Sequence, residues 1–141
     1  MSEKYTNRLL KIAANQITQE LDNFAKQYDM TQMQMSIIDY LSRQGNKEMF
    51  QRDIEKEFFI QRSTATVLLQ RMEKRELLYR KTSITDARQK SVYLTQKSRD
   101  LETKINDYMK SHQDKLEANF SKSEIASFEK ILNFYINGGK N

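Results

Sequence analysis

There is no proline anywhere in the chain, and its three glycines are Gly45, Gly138 and Gly139. Proline and glycine are the strongest helix breakers. A chain almost free of both can run in long helices that stop only where side-chain patterning stops them. From Tyr5 to Tyr28 the apolar residues are Leu10, Ala13, Ala14, Ile17, Leu21, Phe24 and Tyr28. Steps of three and four residues mark one face of a long amphipathic helix.

Thr31-Gln32-Met33-Gln34 has the form of a capping box, with Met30 and Met35 flanking it. The Thr hydroxyl can accept from the backbone N–H three residues on, and the Gln can reach back. This predicts a helix carrying Ile37, Ile38 and Leu41 that ends near Gly45. A short helix over Phe50 to Phe58, with Ile54 and Phe58 inward, leads through a turn at Ile60-Gln61-Arg62 into a helix from about Arg62 to Arg75. Two short helices joined by a tight turn make a helix-turn-helix. Leu77 to Lys81 and Ser91 to Thr95 read as strands around a polar loop from Thr82 to Lys90, which is a wing. Helical spacing returns at Leu101, Ile105, Tyr108, Met109, His112, Leu116 and Phe120. A second capping box, Ser121-Lys122-Ser123-Glu124, opens a last helix that Gly138-Gly139 should stop. The expected fold is mainly α: about six helices and a small β-hairpin.

Several chemistries are excluded by residue type. The chain contains no cysteine and one histidine, so a thiolate centre or an intrachain multi-His metal site cannot form. No apolar run approaches the roughly 18 residues of a membrane span, and Met1 to Tyr5 is polar. These features predict a soluble, cytoplasmic protein with no cofactor and no metal. An enzyme is not expected. His112 stands beside Ser111 and two residues before Asp114, offsets at which helical side chains point apart.

The charge is unevenly placed. From Ile60 to Arg99 there are ten basic residues and three acids, a net +7, in a chain whose total is +5. A local basic segment of this kind predicts a polyanion-binding surface. On the helix after Ile60, at about 100° per residue, Ala65, Leu68, Leu69 and Met72 share the core side. Ser63, Thr66, Val67, Gln70 and Lys74 lie opposite, flanked by Arg62 and Arg71, with Thr64 in the first turn. Hydroxyls and an amide are base-edge donors and acceptors, and an apolar Val suits a thymine methyl. In the wing, Arg80, Lys81, Arg88 and Lys90 can reach phosphates or a minor groove. Asp86, two residues before Arg88, can hold the guanidinium or shape the loop.

These segments together resemble the MarR family of winged-helix transcriptional regulators over nearly the whole chain. The wing stretch Asp86-Ala87-Arg88-Gln89-Lys90-Ser91-Val92-Tyr93-Leu94-Thr95 looks like the family's Asp-x-Arg followed by a strand ending in Leu-Thr. Leu68-Leu69-Gln70-Arg71-Met72-Glu73-Lys74, leading to Leu77-Leu78-Tyr79-Arg80, resembles the family's exit from recognition helix into wing. Glu76 and Ser98 stand where the family commonly has glycine, and Phe50 where it commonly has a Thr or Ser cap. A non-glycine residue is disfavoured in the left-handed conformation, so the helix before Glu76 is expected to end differently.

The resemblance implies one domain over residues 1–141. Its winged helix-turn-helix core spans about residues 31–95, and dimerisation helices span about 5–28 and 96–138. It implies a homodimer, commonly a repressor, that binds a pseudo-palindromic double-stranded DNA operator. The helix from about Arg62 enters the major groove and the Arg88 wing approaches the minor groove. Family effectors are often small aromatic or lipophilic compounds, for which Phe24, Met30, Met33, Ile37, Tyr40, Tyr108 and His112 are the candidate ligand-binding residues. At helical spacing the same residues also fit an ordinary core. Independently, Ile125, Phe128, Ile131, Leu132, Phe134, Tyr135 and Ile136 cover more than one stripe of the last helix, as expected of a helix buried on several sides in a dimer. The alternative reading is a winged-helix module that docks an acidic protein through Val67 and the basic face.

Overall fold

The computed structural model describes residues 5–140; the polar start, Met1 to Lys4, lies outside them. Two compact units divide the chain, one ending at Glu102 and the other starting at Thr103.

The first unit holds α1 (Thr6–Lys26), α2 (Gln32–Ser42), α3 (Gln51–Phe58), α4 (Arg62–Lys74), β1 (Leu78–Thr82), β2 (Lys90–Leu94) and the one-turn α5 (Gln96–Arg99). The Thr31 capping box forms as the sequence predicts: Gln34 N–H donates to Thr31 Oγ1 at 3.2 Å, and Thr31 N–H to Gln34 Oε1 at 3.1 Å. Phe50 has no side-chain acceptor, so α3 is capped from inside instead, its Phe50 N–H donating to the Asp53 carboxylate at 2.8 Å.

α1 packs on α2, α3 on α4, and both α2 and α4 on the hairpin. Ile37, Ile38, Ile54, Ala65, Leu69 and Met72 are fully buried, and Leu77, Leu78, Val92 and Leu94 nearly so. Burying one such Leu or Ile side chain contributes about 1.5–3 kcal/mol. The sequence assignment of the α4 core side holds except at Leu68, which is only half-buried. Phe58 is likewise half-buried, its ring edge-on to Tyr40 at 5.8 Å between centroids.

The hairpin is antiparallel, with Leu78 opposite Leu94 and Thr82 opposite Lys90. Val92 N–H also donates to Met49 O at 2.8 Å, so the segment before α3 docks on the outer edge of β2.

The expectation that α4 ends differently because Glu76 replaces glycine is not met. Glu76 adopts the left-handed conformation itself, with φ at 59°. Leu77 N–H reaches Met72 O at 2.9 Å and Glu76 N–H reaches Glu73 O at 2.9 Å, which is the two-bond Schellman ending. Tertiary bonds hold this residue in place: Thr95 Oγ1 donates to Glu76 O at 2.7 Å. Asp29 and Phe59 also take positive φ at helix ends. Ser98, the other glycine replacement, is buried and its hydroxyl donates to Leu77 O at 2.6 Å.

The second unit contains α6 (Glu102–Asn119) and α7 (Lys122–Ile136). The Ser121 capping box forms, with Glu124 N–H on Ser121 Oγ at 3.1 Å. α7 ends in the same Schellman geometry as α4, here with Gly138 at φ 68° and Gly139 N–H on Phe134 O. Phe120, Phe128, Ile131, Phe134 and Ile136 are exposed in the chain alone. Among the described residues no helix is long and apolar enough to cross a membrane.

Candidate nucleic-acid interface

α4 supplies the first half of the site. Its buried side fixes the helix by Ala65, Leu69 and Met72, and its other side faces solvent. Arg62, Ser63, Thr64, Gln70, Arg71 and Lys74 are exposed, and Val67 is 46% exposed. Thr66 sits differently from the rest. Its hydroxyl donates to Arg62 O at 2.9 Å and accepts from Gln51 Nε2 at 2.9 Å, so it ties α4 to α3.

The wing supplies the second half. Asp86 both shapes the loop and holds the arginine: its Oδ1 accepts from Arg88 N–H at 3.0 Å and from Arg88 Nε at 3.2 Å. Those Arg88 bonds, side chain first, hold the Asp86 carboxyl below the usual carboxylate range. The Arg88 side chain is nevertheless 89% exposed, so the contact orients the guanidinium without covering it. Lys90 is exposed at the start of β2.

Arg80 is not disposed like Arg88. Its Nε lies 2.9 Å from Glu73 Oε1 and its Nη1 donates to Gln51 Oε1 at 3.5 Å. This half-buried arginine links β1 to α4 and α3, so a phosphate contact would have to compete with Glu73. Lys81 stands over a stacked pair of rings, Tyr79 and Tyr93, with its ammonium 5.7 and 5.8 Å from their centroids. The ring faces attract the ammonium, while Lys81 as a whole stays exposed.

Three further residues frame the site without having been singled out by sequence. Gln51 bridges Thr66 and Arg80. Arg52 donates to Gln89 Oε1 in the wing at 3.1 Å and lies over the Phe50 ring. Glu48, just ahead of α3, accepts hydrogen bonds from Ser83, Ile84, Thr85 and Ser91. Polar character was the only signal available, since each partner lies far away in sequence.

The seven candidate ligand residues fall in both units. In the first, Met30 and Ile37 are buried, Met33 and Tyr40 are half-buried, and Phe24 packs its ring on Tyr28 at 5.5 Å. Burial, and then the Glu57 and Asp53 charges, push the Tyr40 hydroxyl pKa up. In the second, Tyr108 meets His112 edge-on at 4.8 Å, and His112 Nε2 is buried with no hydrogen-bond partner. Among the described residues no cluster of His, Cys, Asp and Glu is suited to hold a metal ion.

An exposed polar helix face beside an arginine-bearing hairpin is the geometry of a winged-helix reader, and comparison with known proteins agrees. A profile of the MarR family matches residues 28–89. The crystal structure of the transcription regulator MarR from Oenococcus oeni PSU-1 is similar at 55% sequence identity, over 94% of this chain and 99% of that one, with a TM-score of 0.89. This chain belongs to the MarR family. MarR proteins are DNA-binding transcription regulators and not enzymes. More distant solved structures share the fold. The S. aureus MepR–DNA complex matches at 22% identity and a TM-score of 0.84, over 98% of this chain and 100% of that one. The transcriptional regulator SlyA matches at 18% and 0.78, over 96% and 94%. No curated protein matches the chain.

Proposed function

We propose that this MarR protein is a cytoplasmic, sequence-specific repressor that binds a pseudo-palindromic operator as a homodimer. The observation that carries the reading is the two-sidedness of α4. Ala65, Leu69 and Met72 are fully buried while Ser63, Val67, Gln70, Arg71 and Lys74 remain exposed. In this reading α4 enters the major groove, where Ser63, Val67 and Gln70 meet base edges and Arg62, Arg71 and Lys74 flank the backbone. Thr64 lies in the first turn beside them, and Thr66 keeps the helix on α3. Arg88 enters the minor groove, with Lys90 on phosphate. The MepR–DNA complex supports the docking mode by its shared fold.

The dimer is supported by apolar side chains that the single chain leaves in water. They are Leu9, Ile12 and Ile17 on α1, and Phe128, Ile131, Phe134 and Ile136 on α7. A two-fold dimer places its two reading helices about one DNA turn apart, roughly 34 Å. Release by a small lipophilic or aromatic ligand completes the proposal. A ligand that favours another spacing of the reading helices lowers affinity by its differential binding, typically about 1–3 kcal/mol. Thermal shift with a panel of aromatic acids and lipophilic compounds tests that part. Stabilisation paired with operator release supports it, and no shift across the panel opposes it.

Selection from a random duplex library by the purified protein tests the whole. The expected result is a two-fold symmetric site with half-site centres about one turn apart, bound by one dimer. Weak, sequence-blind binding that an unrelated acidic protein displaces would instead favour the protein-docking alternative.

A further inference from the structure

We propose that Glu48 is a positioning residue for DNA binding, a carboxylate clamp that holds the wing loop in the shape that presents Arg88. The inference rests on the DNA-binding reading above. Glu48 lies 35 to 43 residues from the groups it holds. Its Oε1 accepts from Ser83 Oγ at 2.9 Å and Thr85 Oγ1 at 2.7 Å, and its Oε2 from Ile84 N–H at 3.0 Å and from Ser91 Oγ. A carboxylate offers about four lone-pair sites, and all four are occupied by one loop and the strand that follows it.

The clamp connects to the arginine through a chain of bonds. Ser83 Oγ, while donating to Glu48, accepts from Asp86 N–H at 3.1 Å. Asp86 in turn accepts from the Arg88 backbone and side chain. Fixing Ser83 therefore fixes Asp86, and fixing Asp86 orients Arg88. The same clamp holds the backbone of Ile84, a residue otherwise 88% exposed in the wing loop. Hydrogen bonds from Ser91 first, then Thr85, hold the Glu48 carboxyl down to about 2, so it is ionised at neutral pH.

The charge of Glu48 makes the test one of sign. A carboxylate beside a DNA-facing wing repels phosphate. If it were only a surface acid, Glu48→Gln would tighten binding. As a clamp, its replacement puts an amide N–H against hydroxyl and N–H donors and loosens the loop.

The experiment is anisotropy on a library-selected duplex over a salt series, with wild type, Glu48→Gln, Arg88→Ala and the double variant, each checked by thermal unfolding. Thr85→Ala, on an exposed loop, provides a milder variant should Glu48→Gln not fold. The expected result is about 5–20-fold weaker binding for Glu48→Gln and a salt slope shallower by about one per protomer. In the Arg88→Ala background the same change adds less than about twofold. Thr85→Ala weakens binding less, in the same direction, with the same dependence on Arg88. Faster amide exchange at Ile84 and Arg88 in free Glu48→Gln would report the loosened loop without DNA. Tighter or unchanged binding, or a loss that persists in full without Arg88, overturns the clamp alone, since wild type still binds. A wild type that selects no duplex overturns both the clamp and the reading it rests on.

Discussion

α4 and the wing both present exposed polar and cationic side chains but are made rigid by different means. α4 is held by its own backbone ladder and by Ala65, Leu69 and Met72 beneath it. Its solvent side is therefore left with few tasks; Thr66 and the Arg62 carbonyl there are tied to α3 through Gln51. The loop over 83–89 has little ladder: Ser83 N–H donates to Gln89 O and Gln89 N–H to Asp86 O. Most of its other bonds come from side chains, Glu48 and Arg52 from outside and Ser83 and Asp86 from within. A helix can change its exposed residues at little structural cost, whereas most polar residues of the wing loop are already committed to its shape. Specificity is accordingly expected to reside in α4 and geometric precision in the wing.

The largest effect is expected at the buried side of α4. Leu69→Ala should cost about 2–5 kcal/mol of folding stability, because it removes a fully buried side chain and leaves a cavity. Denaturant unfolding measures this, and a loss under about 1 kcal/mol would show that the helix is not anchored as described. One residue further on, Gln70→Ala should leave stability within about 0.5 kcal/mol. It should lower affinity for the selected duplex by about 1–3 kcal/mol and relax preference at one base position. Competition binding against a duplex set altered at single positions reads this out. Arg88→Ala should weaken all duplexes roughly alike and make the salt slope shallower by about one per protomer. Loss confined to one base position would assign Arg88 a reading role instead.

Two smaller effects are expected at the wing loop and at the α4–β1 junction. Glu48 has its folded pKa depressed to about 2 by the Ser91 and Thr85 hydroxyls. Its contribution is thus fully present above the unfolded carboxyl value of about 4.3, and is lost as pH falls toward 2. Carboxyl NMR should show Glu48 unchanged from pH 8 to 5, with a midpoint near 2; a midpoint near 4.3 would mean that the clamp is open in solution. At the junction of α4 and β1, Glu76→Gly should stabilise the fold by roughly 0.5 kcal/mol, as relief of left-handed strain outweighs the entropy of glycine. A lower Tm would show that the Glu76 side chain contributes more than its backbone conformation costs.

What could be read in the sequence was local. Both capping boxes, the apolar side of α4 and the Asp86–Arg88 pair involve residues two to four apart, and each appears where the spacing places it, half-buried Leu68 excepted. What could not be read was long-range. Glu48, Gln51 and Arg52 acquire their roles from partners in α4 or the wing that no periodicity links to them. Arg80 looked equivalent to Arg88 in a basic segment, but Glu73 lies within ion-pair distance of it and Asp86 leaves Arg88 exposed. Glu76 shows tertiary context overriding propensity: the Thr95 hydroxyl and the Leu77 N–H bond hold a left-handed turn that the residue itself disfavours.

Two copies of α4 and the wing are expected to neutralise DNA phosphates on a symmetric site. The most direct measurement is anisotropy of a library-selected duplex over a range of salt. With roughly 8–10 phosphates neutralised per dimer, log affinity should fall against log salt with a slope near −7 to −9. A slope close to zero would contradict the account.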